Sequence, residues 1–303
     1  SLEKGKKYKL VAEYFDGGGS ASAKLYWRVP DTDQRAVIDL YGEAGNIMRK
    51  CDLTVAVLGI NQSIEREGQD RSSIELPKEQ QAFIEEAYKI NPNTVVVLVA
   101  GSSLAINWMD EHIPAIVNAW YPGEAGGTAV AEVLFGDYNP GGKLPLTYYR
   151  SLDELPAFYD YDIRKGRTYQ FCEGNPLYAF GHGLSYTTFS YKKLSIDPAG
   201  DVVRVSFTLK NTGKYEGDEV AQLYVKYQGS DSQVKLPLKQ LKGFERIHLK
   251  KGESKQINLT VPKSELRFWN EEEGEFYTPA GDYLFMVGTA SDAIQLQQIV
   301  TLK

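Results

Sequence analysis

Leu53-Thr54-Val55-Ala56-Val57-Leu58-Gly59 is a near-continuous apolar run closed by a glycine. Such a run, without polar alternation, marks a strand buried on both faces of a parallel sheet. Thr94-Val95-Val96-Val97-Leu98-Val99-Ala100-Gly101 repeats the form, and Ala115-Ile116-Val117-Asn118-Ala119-Trp120 is a third example. Between the first two, residues 76–90 set Phe83, Ile84, Ala87 and Ile90 on one helical stripe, with Pro92 just past its end. Residues 36–51 and 128–135 are further helix candidates. Strand alternating with helix predicts an α/β sandwich: a mainly parallel sheet with helices on both faces, occupying residues 34–150.

The flanks read differently. Residues 7–15 and 21–29 look like two strands around the turn Asp16-Gly17-Gly18-Gly19-Ser20. A single hairpin cannot bury itself, so residues 1–33 read as the tail of a β-sandwich or a linker. Residues 151–190 are rich in Tyr, Gly and Pro without periodicity, an ordered linker of a length that usually has a function. From 191 to 303, strand candidates crowd together at 202–209, 219–227, 241–249, 255–261 and 281–287. Turns such as Asn211-Thr212-Gly213 separate them, the pattern of an all-β sandwich.

At 303 residues the chain is long enough for more than one domain. A net charge of −6, with both signs interspersed, argues against a nucleic-acid partner. No apolar run reaches membrane-spanning length. Cys51 and Cys172 sit in no Cys/His cluster, so neither metal nor cofactor is expected; two ordinary thiols are favoured, with a disulfide left open. His112, His182 and His248 are isolated from one another.

The densest chemical signal follows the first buried strand, in Glu65-Arg66-Glu67-Gly68-Gln69-Asp70-Arg71. Ligand sites of open α/β sheets lie at the carboxyl ends of the strands. Carboxylates and guanidinium groups this close tune one another, and a carboxyl that keeps its proton near neutral pH can donate it to a departing oxygen. Taken alone, the loop reads more readily as a solvated one with Asp70–Arg71 or Glu67–Arg71 pairs. The glycines of Trp120-Tyr121-Pro122-Gly123-Glu124-Ala125-Gly126-Gly127-Thr128 suit a tight turn and close packing, because the lysine of a phosphate loop is missing. Aromatics interleaved with glycine over 166–171 and 178–189 suit a sugar-stacking surface or a staple between domains. The staple is preferred for the second stretch, while Arg167 and Tyr169 stay open.

These stretches together resemble the C-terminal half of glycoside hydrolase family 3, the β-glucosidases and β-xylosidases. The resemblance rests on the Glu65–Arg71 loop with Glu75-Leu76-Pro77 and Gln80, then Trp120-Tyr121-Pro122-Gly123. It continues through Leu134-Phe135-Gly136-Asp137-Tyr138-Asn139-Pro140-Gly141-Gly142-Lys143-Leu144-Pro145 and Phe180-Gly181-His182-Gly183-Leu184-Ser185-Tyr186-Thr187, in family order. It implies an α/β sandwich over 34–150 and a fibronectin type III-like domain over 191–303. Residues 1–33 resemble the tail of a protective-antigen-type module.

The resemblance further implies retaining hydrolysis of terminal β-linked sugars by two carboxyls roughly 5–5.5 Å apart. Glu65 falls at the acid/base position, with Glu67 the fallback. Asp70 and Arg71 match an Asp-Arg pair that braces the loop, and the Gly-Arg-Thr-Tyr form at 166–169 leans towards the xylosidase branch. The family's nucleophile lies in a (β/α)8 barrel that nothing in this sequence resembles. The expected partners are therefore a glycoside substrate and that barrel, in the same chain or a separate one. A non-catalytic carbohydrate-binding module is the competing reading. A periplasmic or secreted location is expected, although the stretch from Ser1 carries no visible address.

Overall fold

The computed structural model describes residues 42–229, 235–270 and 272–303. The hairpin expected within 1–33 lies outside them. The chain divides into two compact units, Ser1–Ile47 and Met48–Lys303. The helix expected over 36–51 is helical at 42–48, its earlier part falling outside the described residues.

In the second unit, β1 (Thr54–Gly59), β2 (Thr94–Val99) and β3 (Ala115–Asn118) form a parallel sheet in that order. Helix α1 (Lys78–Ile90) joins β1 to β2, α2 (Asn107–His112) joins β2 to β3, and α3 (Gly126–Phe135) follows. The stripe on α1 behaves as its spacing predicts, with Ile84 and Ala87 fully buried. Glu79 in its first turn and Lys89 in its last complement the helix dipole. Val96, Val97 and Leu98 make β2 the buried centre of the sheet. Strand β1 departs from expectation: Ala56 and Leu58 are buried, but Val55 and Val57 on its other face are exposed. Among the described residues β1 pairs with β2 alone, an edge position, and its Val55–Val57 face is uncovered. Helix α2 was not expected, because Asn107-Trp108-Met109-Asp110-Glu111-His112 is too short for a helical period to register.

The C-terminal part is an antiparallel sandwich. One sheet runs β12 (Ile294–Leu302), β11 (Gly281–Gly288), β6 (Gly217–Tyr227), β7 (Gln240–Leu249); the other runs β4 (Phe189–Asp197), β5 (Val202–Asn211), β8 (Ser254–Pro262). A small hairpin pairs β9 (Phe268–Asn270) with β10 (Glu275–Tyr277). Alternate residues of both sheets meet in one core, with Val203, Val205, Phe207 and Leu209 facing Ala221, Leu223, Phe285 and Val287. Strand β12 escaped the sequence reading because Ile294-Gln295-Leu296-Gln297-Gln298-Ile299-Val300 breaks strict alternation and leaves Ile299 exposed.

The linker is ordered and tied on both sides. Tyr148 exchanges backbone hydrogen bonds with Leu177 and Tyr178, and Leu144 with Gly181 and His182. Across the seam, Gln170 O accepts from Leu238 N–H and Phe180 O from Ser291 N–H. Gln222 Nε2 donates to Gly181 O, where any Cβ would meet the Gln222 side chain. The staple expected in the second aromatic stretch is thus present but largely polar. Phe180 stacks on Tyr169, whereas Tyr186 is half exposed and donates its hydroxyl to Val133 O of α3. Asn139 holds the corner, accepting from Ser185 Oγ and Tyr186 N–H while donating to Glu216 O.

Candidate functional site

The loops leaving β1, β2 and β3 gather at one end of the parallel sheet. The turn out of β1 begins at Gly59, with φ 145° and a position where a Cβ would stand 1.9 Å from Val99 O. Only glycine fits so close to the neighbouring strand. The Gln80 side chain clamps this residue from α1: Gly59 N–H donates to Gln80 Oε1 and Gln80 Nε2 donates to Gly59 O, each at 2.7 Å. At the end of β3, Trp120 takes a left-handed φ of 55°, a strained conformation of the kind concentrated at functional sites.

From Gly59 the chain turns through Asn61, whose side-chain oxygen accepts from Ser63 N–H and Oγ. Arg66 and Gln69 then exchange backbone hydrogen bonds at 3.1 and 2.9 Å. Gly68 between them has φ 73°. Arg66–Gln69 is therefore a two-residue hairpin with a type II turn, Glu67 at its first corner and Gly68 at its second. Gln69 Nε2 and Arg66 Nη1 donate to the carbonyls of Ser63 and Gln62, stiffening the base of the hairpin.

The two glutamates have opposite surroundings. Glu65 turns inward: its Oε2 lies 2.6 Å from Arg71 Nε, and its Oε1 accepts from Ser102 Oγ at 2.6 Å. Arg71 also donates through Nη2 to Ser102 Oγ at 2.8 Å and to Ser103 O at 2.7 Å. The side chains of Arg71 and Glu65 are 13% and 22% exposed, so this is a partly buried, multiply bonded pair. Glu67 is exposed and makes no side-chain hydrogen bond or ion pair with any described residue. Asp70 is exposed as well. Arg71 joins the loop to the β2–α2 connection, and its carboxylate partner is Glu65 rather than Asp70 or Glu67.

Arg167 and Tyr169 lie with the linker. Arg167 donates to the carbonyls of Asp160 and Ala157, and Tyr169 accepts from Leu241 N–H of β7. Both hold the linker in shape. Ser102 was missed by sequence reasoning; the available signal was a Ser-Ser pair just past Gly101, at the carboxyl end of the neighbouring strand. Beneath the loop, Asn118 Nδ2 donates to Tyr148 Oη, whose phenol is pushed above its ordinary value by burial. Cys51 and Cys172 are free thiols. Among the described residues no three His, Cys, Asp or Glu side chains gather as a metal group, and no helix is long and apolar enough to cross a membrane.

Comparison with known proteins agrees with this architecture. The glycosyl hydrolase family 3 C-terminal domain model matches residues 2–186, and the fibronectin type III-like domain model matches residues 219–291. The β-glucosidase of Kluyveromyces marxianus is 36% identical over 97% of this chain. Its crystal structure with glucose superposes with a TM-score of 0.82, covering 88% of this chain. A xylan 1,4-β-xylosidase of Xylanibacter ruminicola is 44% identical over 74% of the chain. The chain spans 37% of the first of these enzymes and 26% of the second. With a family model over more than half its length and relatives of this identity, the chain belongs to glycoside hydrolase family 3, of which it carries the C-terminal region and a fibronectin type III-like domain.

Proposed function

We propose that this chain is the acid/base-bearing portion of a retaining exo-β-glycosidase that removes terminal β-linked glucose or xylose from oligosaccharides, and that its full enzyme is periplasmic or secreted. Glu67 is the general acid/base and Glu65 the residue that anchors its loop. The observation carrying this reading is the contrast between the two carboxyls. A group that protonates a glycosidic oxygen held by another domain has to reach that oxygen, which favours a carboxyl projecting from its own domain with an oxygen available. Glu67, at the corner of the Arg66–Gln69 turn, is exposed and unbonded to the described residues, while both oxygens of Glu65 are engaged by Arg71 and Ser102. The nucleophile comes from an upstream barrel domain, roughly 5–5.5 Å from the acid/base in a retaining geometry. A non-catalytic binding module would have no use for a free carboxyl on a stiffened tip.

The test is a pair of alanine variants in the full-length enzyme, assayed on aryl glycosides with good and poor leaving groups. Glu67→Ala is expected to lose far more activity on the poor leaving group and to regain turnover of the good one with azide, which replaces the water that needs a base. The same signature in Glu65→Ala alone would transfer the role to Glu65. Its absence from both would make the loop structural.

A further inference from the structure

We propose that Ser102 is a positioning residue that sets the acid/base hairpin, an inference resting on the assignment of Glu67 above. The hydroxyl of Ser102 sits between two charged groups of another loop, donating to Glu65 Oε1 at 2.6 Å and accepting from Arg71 Nη2 at 2.8 Å. Glu65 and Arg71 are the two ends of the loop that carries the hairpin. One serine on the β2–α2 connection therefore ties both ends of the loop to the rigid centre of the sheet.

Without the hydroxyl, the carboxylate reaches the β2–α2 connection, among the described residues, only through Arg71, by Nε to Glu65 Oε2 and Nη2 to Ser103 O. Ser103 supplies only its carbonyl, which holds the arginine and not the carboxylate. Arg71 Nη1 is already buried without a hydrogen-bond partner among the described residues, so no surplus acceptor lies close to the guanidinium. The Arg66–Gln69 hairpin is two residues wide at its tip and has no other strand beside it among the described residues. Its base is held within the loop by the bonds of Arg66 and Gln69 to the carbonyls of Gln62 and Ser63, and the loop as a whole takes its direction from its two ends. Tilt of a two-residue hairpin moves its corner most, and the corner is Glu67. A misplacement of about 1 Å at a reacting group costs on the order of 100-fold, so a hydroxyl remote from the substrate governs proton transfer through position alone.

The experiment has two parts. In this chain, amide hydrogen exchange is measured for Ser102→Ala and Ser102→Thr. Arg66 and Gln69 N–H should exchange about ten-fold faster in the alanine variant, with the amides of β1 and β2 unmoved and the threonine variant close to the parent. Unchanged exchange at Arg66 and Gln69 overturns the proposal. In the full-length enzyme, Ser102→Ala should lower kcat roughly ten-fold on a poor leaving group while sparing KM and a good leaving group, with Ser102→Thr restoring it. Equal losses on both leaving groups, or no recovery with threonine, mean a merely structural serine. Faster exchange in Ser102→Ala, together with no azide rescue in Glu67→Ala, refutes the acid/base assignment and leaves only the loop anchor.

Discussion

Lys143 Nζ lies 3.1 Å from Glu219 Oε1 across the seam between the α/β part and the sandwich, with 12% and 6% of their side chains exposed. Lys143 also donates to Gly183 O of the linker, so one ammonium joins three segments. Removing one partner of such a pair leaves a buried charge alone, at a cost of about 3–5 kcal/mol, whereas replacing both by apolar groups is often neutral. Lys143→Met should therefore lower stability by about 3 kcal/mol. Lys143→Met with Glu219→Met should recover most of that loss. Thermal unfolding of the three variants checks this; an undiminished Lys143→Met would show that the pair is not what joins the domains.

Glu219 also sets a pH dependence. Burial raises its pKa above the ordinary 4.5, with Lys143 opposing. Between 4.5 and the raised value the native state holds more protons than the unfolded one, so this group's contribution falls as pH rises through that window. Glu219→Gln should flatten the term in a series of urea unfolding midpoints. A slope unchanged by the substitution would place the titration elsewhere.

His182 acts in the opposite sense. It stacks on Tyr178 at 5.0 Å between ring centroids, and burial depresses its pKa below the usual 6.5. The unfolded state then binds more protons, so its contribution is full above 6.5 and is lost as pH falls through the depressed value. His182→Phe keeps the stacking surface and should reduce acid sensitivity below pH 6.5. The check is the unfolding midpoint at mildly acidic and neutral pH for both proteins.

Gly59→Ala should be among the most damaging single changes. The added carbon meets Val99 O at 1.9 Å and cannot adopt φ 145° without strain. A loss above about 4 kcal/mol, or failure to fold, is expected. Gln80→Ala removes only the two hydrogen bonds of the clamp and should cost about 2 kcal/mol. Denaturant titration of both separates the steric role from the hydrogen-bonded one.

The purified chain should not turn over aryl β-glucosides or β-xylosides, because retaining hydrolysis needs a nucleophile besides the acid/base. Release of nitrophenol by the chain alone, abolished in Glu67→Gln, would contradict the two-domain reading.

The order of buried strands, the helical stripe on α1 and the closely spaced strands after Val202 were legible because each depends on local periodicity and β-branched composition. The loop after Gly59 stood out as a candidate place for chemistry, since carboxyl ends of parallel strands are where side chains leave a sheet. The surroundings of the two glutamates in that loop were not legible. Glu65 and Glu67 are the same residue type two positions apart, and nothing local says which one turns inward. That choice came from Ser102 and Arg71, which meet only because β2 lies beside β1.

The sequence alone led to the expectation of an ordered connection over residues 151–190, and on its residues Arg167 and Tyr169 could as well have faced a sugar. Their partners lie at Asp160, Ala157 and Leu241, and the last is distant in the chain. Periodicity, turn chemistry and motif order are properties of neighbours along the chain, so the sequence was enough for the family and for the strongly periodic elements, though not for α2 or β12. Which carboxyl is free and which residues bridge the domains depend on atoms brought together across the fold, and only the tertiary structure decided them.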